Sequence, residues 1–231
     1  MTLSVIIPVW EDAAALRVCL ERLRGADPPV EFVIAAACAD ENCRRLASEA
    51  GARLVECAHP NRGAQLNAGA AASSGSVLIF LHADTELLPG HLSNVAAAFS
   101  RTEVEAATFY KDLRTHYPAF AWTDPIVRSW LRCCGVIYGD QCFILRRSLF
   151  ERLGGFANLP IMEDIELSQR LRRAVPRRAL AFLDPPLRCS MRRFSDRGKL
   201  RTRLQNIGLV WLWRLRLLTA ERIHAWYYGR T

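Results

Sequence analysis

The stretch that most constrains this chain is Val77-Leu78-Ile79-Phe80-Leu81, followed at once by His82-Ala83-Asp84-Thr85. Five consecutive apolar residues, bounded by Ser73-Ser74-Gly75-Ser76 and by Leu87-Leu88-Pro89-Gly90, predict a strand buried on both faces, the signature of a central strand in a parallel sheet. Polarity switches abruptly at its carboxyl end, where ligands sit in open α/β sheets. Asp84 there either caps the following turn or holds a divalent cation or a ligand hydroxyl, with the His82 imidazole two residues before it.

The rest of the amino-terminal half follows the same grammar. Residues 3–9 form a second apolar strand with Pro8 near its exit, and Leu16, Cys19, Leu20 and Leu23 then recur at helical spacing before Gly25 and Pro28-Pro29. Residues 31–35 predict a strand, Asp40 opens a helix that runs to Glu49 and stops at Gly51, and residues 53–56 predict a short strand. Strand and helix alternating at this cadence imply a mostly parallel sheet with right-handed crossovers, flanked by helices. Further along, strands are expected at 106–110 and 142–145 and at an edge over 180–183, with helices at 91–99, 122–134, 149–153 and 162–173. On the 122–134 helix, Trp122, Ile126 and Trp130 line one side, a stripe expected to be core, with Tyr117, Trp122 and Trp130 as the alternative, sugar-stacking set.

At 231 residues the chain suits one large α/β domain, or a domain with an appendage. Its net charge of +8 is unevenly spread: residues 1–169 carry 15 basic and 20 acidic side chains, residues 170–231 carry 16 and 3. A basic end suggests a phosphate-rich ligand or an anionic surface. The eight cysteines contain no C-x-x-C pair, which argues against a zinc site, and no apolar run reaches the length of a membrane span. The expected compartment is a reducing cytoplasm, with membrane association through the tail as an addition.

Three further stretches carry chemistry. Asn61-Arg62-Gly63-Ala64-Gln65-Leu66-Asn67-Ala68-Gly69 predicts a helix lined with small residues, with Arg62 beside an amino terminus suited to anions. It matches neither a dinucleotide fingerprint nor a P-loop. Gly139-Asp140-Gln141 precedes an apolar strand, where it either turns the chain or reaches a ligand. Met162-Glu163-Asp164 opens a helix, where first-turn acids satisfy the macrodipole and also place carboxylates at a helix end.

Taken in order, Ser4-Val5-Ile6-Ile7-Pro8-Val9, Asn61-Arg62-Gly63 with Asn67-Ala68-Gly69, and Leu81–Thr85 resemble the nucleotide-diphospho-sugar half of family 2 glycosyltransferases. Adding Gly139-Asp140-Gln141, Met162-Glu163-Asp164 and Ser190-Met191-Arg192-Arg193, the chain is more closely similar to the small bacterial subgroup named selenodomain-associated transferase 2. The resemblance spans roughly residues 3–200. It implies a GT-A type fold over 1–200, a C-terminal helical extension over 201–231, and metal-dependent, inverting transfer from a nucleotide-diphosphate sugar to an unidentified acceptor hydroxyl.

Carried onto this sequence, it implies Asp164, with Glu163 beside it, as the catalytic acids, Asp164 being the general base. Asp84, with His82, would hold a manganese or magnesium ion. Pro8, Asp40, Arg62, Gln65, Asn67, Asp140, Gln141, Arg192 and Arg193 would bind the nucleotide sugar. Two departures stand out. His82 replaces the first acid of the family's Asp-x-Asp motif, and Ala36 stands about where the family commonly has a base-reading Asp.

The tail, residues 204–228, predicts a basic, Trp-rich helix that packs on the domain, joins a second copy or lies on a membrane surface. No nucleic-acid partner is expected of a transferase. The competing readings are a basic-tailed module for nucleic acid or anionic membrane, and a degenerate transferase that binds sugar nucleotide without turnover. Acids at two element ends favour the enzyme.

Overall fold

The computed structural model describes residues 1–26, 28–87, 90–112, 118–189 and 199–228. Strands β1 (Leu3–Trp10), β2 (Val30–Ala37), β3 (Arg53–Cys57) and β4 (Val77–Phe80) alternate with helices α1 (Ala13–Leu23), α2 (Glu41–Glu49) and α3 (Arg62–Ala72). After β5 (Thr85–Glu86) come α4 (His91–Phe99), β6 (Ala106–Lys111), α5 (Asp124–Cys134), β7 (Phe143–Arg146), α6 (Arg147–Leu153), α7 (Glu163–Ala174) and β8 (Leu180–Cys189). Two helices, α8 (Lys199–Arg214) and α9 (Ala220–Tyr228), close the described chain.

The eight strands form one sheet in the order β3-β2-β1-β4-β7-β6-β8-β5. Strand β1 pairs in parallel with β2 and β4, and β2 in parallel with β3, as the alternating pattern requires. Strand β7 breaks the rule by running antiparallel to both β4 and β6. Its first residue, Phe143, lies opposite Phe80, the last of β4. The segment leading into β7 is therefore delivered to the same sheet edge as the loop leaving β4.

Side chains alternate across the sheet and bury two layers. Leu3, Val5, Ile7 and Val9 of β1 face Leu16, Cys19 and Leu20 of α1 and Leu92 and Val95 of α4. Ile6, Leu78 and Phe80 face Leu66 and Ala70 of α3 and Leu167 and Leu171 of α7 on the other side. Helix α3 is seated closely: a Cβ on Gly69 would come within 2.5 Å of Ile6 Cγ2. Gln65 Nε2 donates to Val9 O and Ala35 O, both at 2.8 Å, pinning α3 to the ends of β1 and β2.

Three expectations need correction. The strand at 180–183 continues through Pro185-Pro186 to Cys189 and lies inside the sheet, between β6 and the two-residue β5. Proline is tolerated there because the pairing with β6 slips between Phe109 and Lys111, relieving the demand for its missing N–H. The aromatic stripe expected on the 122–134 helix is not core: Trp122, in the turn before α5, is 70% exposed, and Ile126 and Trp130 of α5 also face solvent. The tail is two helices, broken after Arg214, where Arg216 takes a left-handed backbone. Leu209 of α8 and Ile223 of α9 are buried against Val136, Met162 and Ile165.

Gly69→Ala is expected to force α3 off β1 and cost about 1–3 kcal/mol of unfolding free energy. Urea denaturation measures this, and an unchanged midpoint would contradict the close seating.

Candidate active site

Helix α7 begins under constraint. Met162, the residue before it, has φ 70°, a left-handed conformation unfavourable for a side chain of its size. Cys142, just after the Gly139-Asp140-Gln141 turn, has φ 66°. Such strain persists only where the surroundings impose it, and the two residues flank one cluster of polar groups.

Arg62, the first residue of α3, is its hub. Its Nε donates to Glu163, whose side chain is 2% exposed, in a short ion pair. Its Nη2 lies 3.8 Å from Asp164 Oδ2, and its Nη1 lies 3.2 Å from His82 Nε2. A guanidinium has no acceptor, so the His82 nitrogen accepts. Asp164 Oδ2 also accepts from the Gly139 N–H at 2.7 Å, and Oδ1 from the Ile165 N–H at 2.8 Å. Beneath these groups Leu66, Phe80, Phe143 and Phe156 form an apolar floor.

Gly139 fits here because it lacks a side chain. A Cβ would lie 3.0 Å from His82 Nε2 and 3.1 Å from Asp164 Oδ2. Next to it, Asp140 pairs with Lys111 at the end of β6.

The electrostatics follow from this packing. Burial raises the Glu163 carboxyl above its ordinary value, the Asp164 charge adds to that, and Arg62 opposes both without overcoming them. Burial works against the charge of Arg62, yet Glu163 and Asp164 together raise its pKa. Burial likewise works against the Asp140 carboxylate, but Lys111, with smaller help from Arg62, holds its carboxyl below the ordinary value. Tyr138 is raised by burial first and by Asp164 second.

The structure therefore brings Arg62, His82, Asp140, Glu163 and Asp164 together at the carboxyl edge of β4. Other expected ligands have different tasks. Gln65 is buried and spends its amide on two strand carbonyls, as described. Asn67 exchanges two 2.8 Å bonds with the Phe156 backbone, fixing the segment before α7 to α3. Gln141 is buried, its Oε1 accepting from the Tyr138 N–H. Asp40 caps α2 through a 2.7 Å bond from the Cys43 N–H.

Pro8 is an interior position of β1, opposite Ala35, because that strand runs on to Trp10. Ala36, about where the resemblance would put a base-reading acid, is buried in the core. Arg192 and Arg193 lie outside the described residues.

His82 and Asp84 diverge. Thr85 N–H donates to His82 O at 3.0 Å, a tight turn that sends His82 toward Arg62. Asp84 is exposed on the α1 side, where its charge adds to burial in pushing the Cys19 thiol up to about 12. The described residues contain no group of three or more His, Cys, Asp or Glu side chains arranged to hold a metal. They fit a cation held by one carboxylate and completed by a ligand's own oxygens, the usual arrangement for ions bound with phosphates. His82 is ill-suited to join Asp84 as a ligand while its Nε2 lone pair accepts from Arg62.

Lys111 joins the cluster without having been singled out in the sequence, and Gly139 joins it through its backbone N–H rather than only as part of a turn. Lys111 carried a signal: it is one of only two lysines among 31 basic residues. The roomier cavity, about 300 Å³ between the carboxyl ends of α1 and α2, lies at the opposite edge of the sheet and touches none of these groups.

An α/β sheet covered on both faces, with an acid cluster at the carboxyl edge of its central strand, places the cluster where folds of this class bind their ligands. The sequence profile of glycosyl transferase family 2 matches residues 4–154, and the chain belongs to that family and is a glycosyltransferase. The match ends before α7, so Asp164 lies beyond it. No curated protein sequence matches.

Among solved structures, glucosyl-3-phosphoglycerate synthase from Mycobacterium tuberculosis, in complex with Mn2+, UDP and glucosyl-3-phosphoglycerate, superposes with a TM-score of 0.64 at 19% identity. That match covers 90% of this chain and 75% of the synthase. TarS 1–349 from S. aureus gives 0.65 at 14% identity over 82% and 60% of the two chains. The mannosyltransferase PcManGT from Pyrobaculum calidifontis, bound to GDP-Man and Mn2+, gives 0.62 at 19% identity over 94% and 65%. These likenesses establish a GT-A fold.

Because Lys111 depresses the Asp140 carboxyl, their pair adds stability above the unfolded-state value of about 3.9. That contribution is lost as pH falls through the lower folded-state value. Lys111→Met is thus expected to destabilise at neutral pH, its deficit against wild type closing below about pH 4. Denaturant titrations across a pH series read this directly; a deficit independent of pH would contradict the pairing.

Proposed function

We propose that this protein transfers a sugar from a nucleotide-diphosphate donor to an acceptor hydroxyl, with inversion and with help from a divalent cation. The observation that carries the reading is the Asp164 carboxylate, held by the Gly139 N–H at the carboxyl edge of β4 with Arg62 and His82 around it. A binding module has no use for an acid fixed in this way. The nucleotide-sugar complexes of the synthase and the mannosyltransferase support the choice of donor and of Mn2+ or Mg2+.

In this reading Asp164 takes the proton as the acceptor oxygen attacks the anomeric carbon in line and the bond to the diphosphate breaks. No covalent intermediate on the protein is required. Asp84 would hold the cation, which when bound supplies Lewis-acid neutralisation of the diphosphate. Arg62 supplies a second positive charge from the α3 amino terminus.

Glu163 is too buried and too firmly paired to exchange protons with an acceptor. It acts through Arg62, keeping the guanidinium charged and aimed. Gly139 positions Asp164 and leaves open the space that a side chain would fill.

Asp164→Asn is expected to lower turnover by about 10²–10⁴-fold, with the donor dissociation constant unchanged by calorimetry. Full turnover in that variant would remove Asp164 as the base. UDP or GDP with manganese should also stabilise the protein, by roughly 2.7 kcal/mol at a hundred times its dissociation constant. No thermal shift with any nucleoside diphosphate would contradict the donor class.

A further inference from the structure

The two C-terminal helices have different faces. Leu209 and, one turn on, Trp213 of α8 pack into the cluster with Val136, Met162 and Ile165, joined by Ile223 and Tyr227 of α9. Roughly half a turn round α8 from Leu209, Trp211 stands in solvent with Leu212 beside it, followed past the helix end by Leu215 and Leu217 and then by Trp226 of α9. Of the twelve large apolar side chains exposed among the described residues, six fall between 211 and 228. Exposed apolar side chains concentrated along one short stretch of chain mark an interaction surface rather than ordinary surface scatter.

Charge selects the partner. Residues 199–228 carry six basic side chains against one acid, Glu221. Arg214, Arg216 and Arg222 are exposed among the apolar groups, the Arg214 guanidinium 5.7 Å from the Trp211 ring centroid. A second copy meeting this face would set one arginine-rich surface against another, which is repulsive. A nucleic acid would answer the arginines and stack on tryptophans, but it offers nothing to Leu212, Leu215 and Leu217.

An anionic bilayer surface answers all three. Tryptophan favours the headgroup level, leucine the acyl boundary, and arginine the lipid phosphates. No helix among the described residues is long and apolar enough to cross a membrane, so such helices would lie in the surface plane.

We propose that the outer face of α8 and α9 docks on an anionic lipid surface, with Trp211, Leu212, Leu215, Leu217 and Trp226 entering it and Arg214, Arg216 and Arg222 pairing with headgroup phosphates. The inner face meanwhile packs on residues flanking Gly139 and Asp164, so docking holds the catalytic cluster about one helix diameter, roughly 10 Å, from the lipid. The proposal is independent of sugar transfer, since it is read without donor or acceptor.

The test is flotation of the full chain with phosphatidylcholine vesicles with and without phosphatidylglycerol, in about 0.1 M salt, where headgroup attraction is only partly screened. Binding should be at least about tenfold tighter to the anionic vesicles, with the tryptophan emission shifting to the blue. Trp211→Ser with Trp226→Ser should reduce that binding by at least about tenfold while leaving the melting temperature unchanged, because both rings are exposed. Arg214→Glu with Arg216→Glu should abolish the preference for anionic lipid. Equal binding to both vesicles, no binding, or undiminished binding by the tryptophan variant overturns the proposal. So does sedimentation showing a dimer that the tryptophan variant dissociates, because a second copy then covers the face.

Discussion

The proposed active site depends on one ion pair, the half-exposed Arg62 with the buried Glu163. Separated by a hundred residues, they join the first turn of α3 to the first turn of α7, and the Glu163 carboxylate would be costly to bury unpaired. Paired, they fix the spacing of the two helices at the sheet edge and bring Asp164 and His82 within reach of the same guanidinium. Supporting contacts repeat the link a short way off, where Asn67 grips the Phe156 backbone and Asn61 Nδ2 donates to Asn158 Oδ1 at 3.0 Å. The site is thus a seam between two halves of the chain, closed by polar contacts above an apolar floor.

The antiparallel β7 explains why that seam gathers these polar groups. A parallel strand in its place would deliver Gly139-Asp140-Gln141 to the far edge of the sheet. Reversal sets the Gly139 N–H opposite the loop that leaves β4, where it holds Asp164. The glycine then has two duties, a donor in the backbone and an absence beyond it.

Much of this was legible in the residues. The unbroken apolar run of β4, the alternation of β1 to β3 and the helix opening at Asp40 all follow from local periodicity and turn chemistry, and they stand where expected within a residue or two. Ordered motifs singled out Arg62, His82, Asp140, Glu163 and Asp164, which the structure brings together. What was not legible depended on distant partners. Gln65 and Asn67 read as ligand residues because an amide on a helix looks the same in sequence whether it meets a sugar or a backbone group of the fold. The direction of β7 and the passage of β8 through two prolines are set by neighbouring strands, not by their own sequences. The solvent-facing stripe of α5 has the periodicity of a core face, and only tertiary packing distinguishes the two.

The account stands or falls on the cation and Asp164 serving one bound donor, and magnetic resonance of the labelled protein reads that directly. Manganese added with a nucleoside diphosphate should broaden the amide signals of Gly139 and Ile165 while sparing Glu31 and Phe32 at the opposite edge of the sheet, and magnesium should restore them. Broadening that leaves Gly139 and Ile165 sharp would place the cation away from Asp164 and contradict the account.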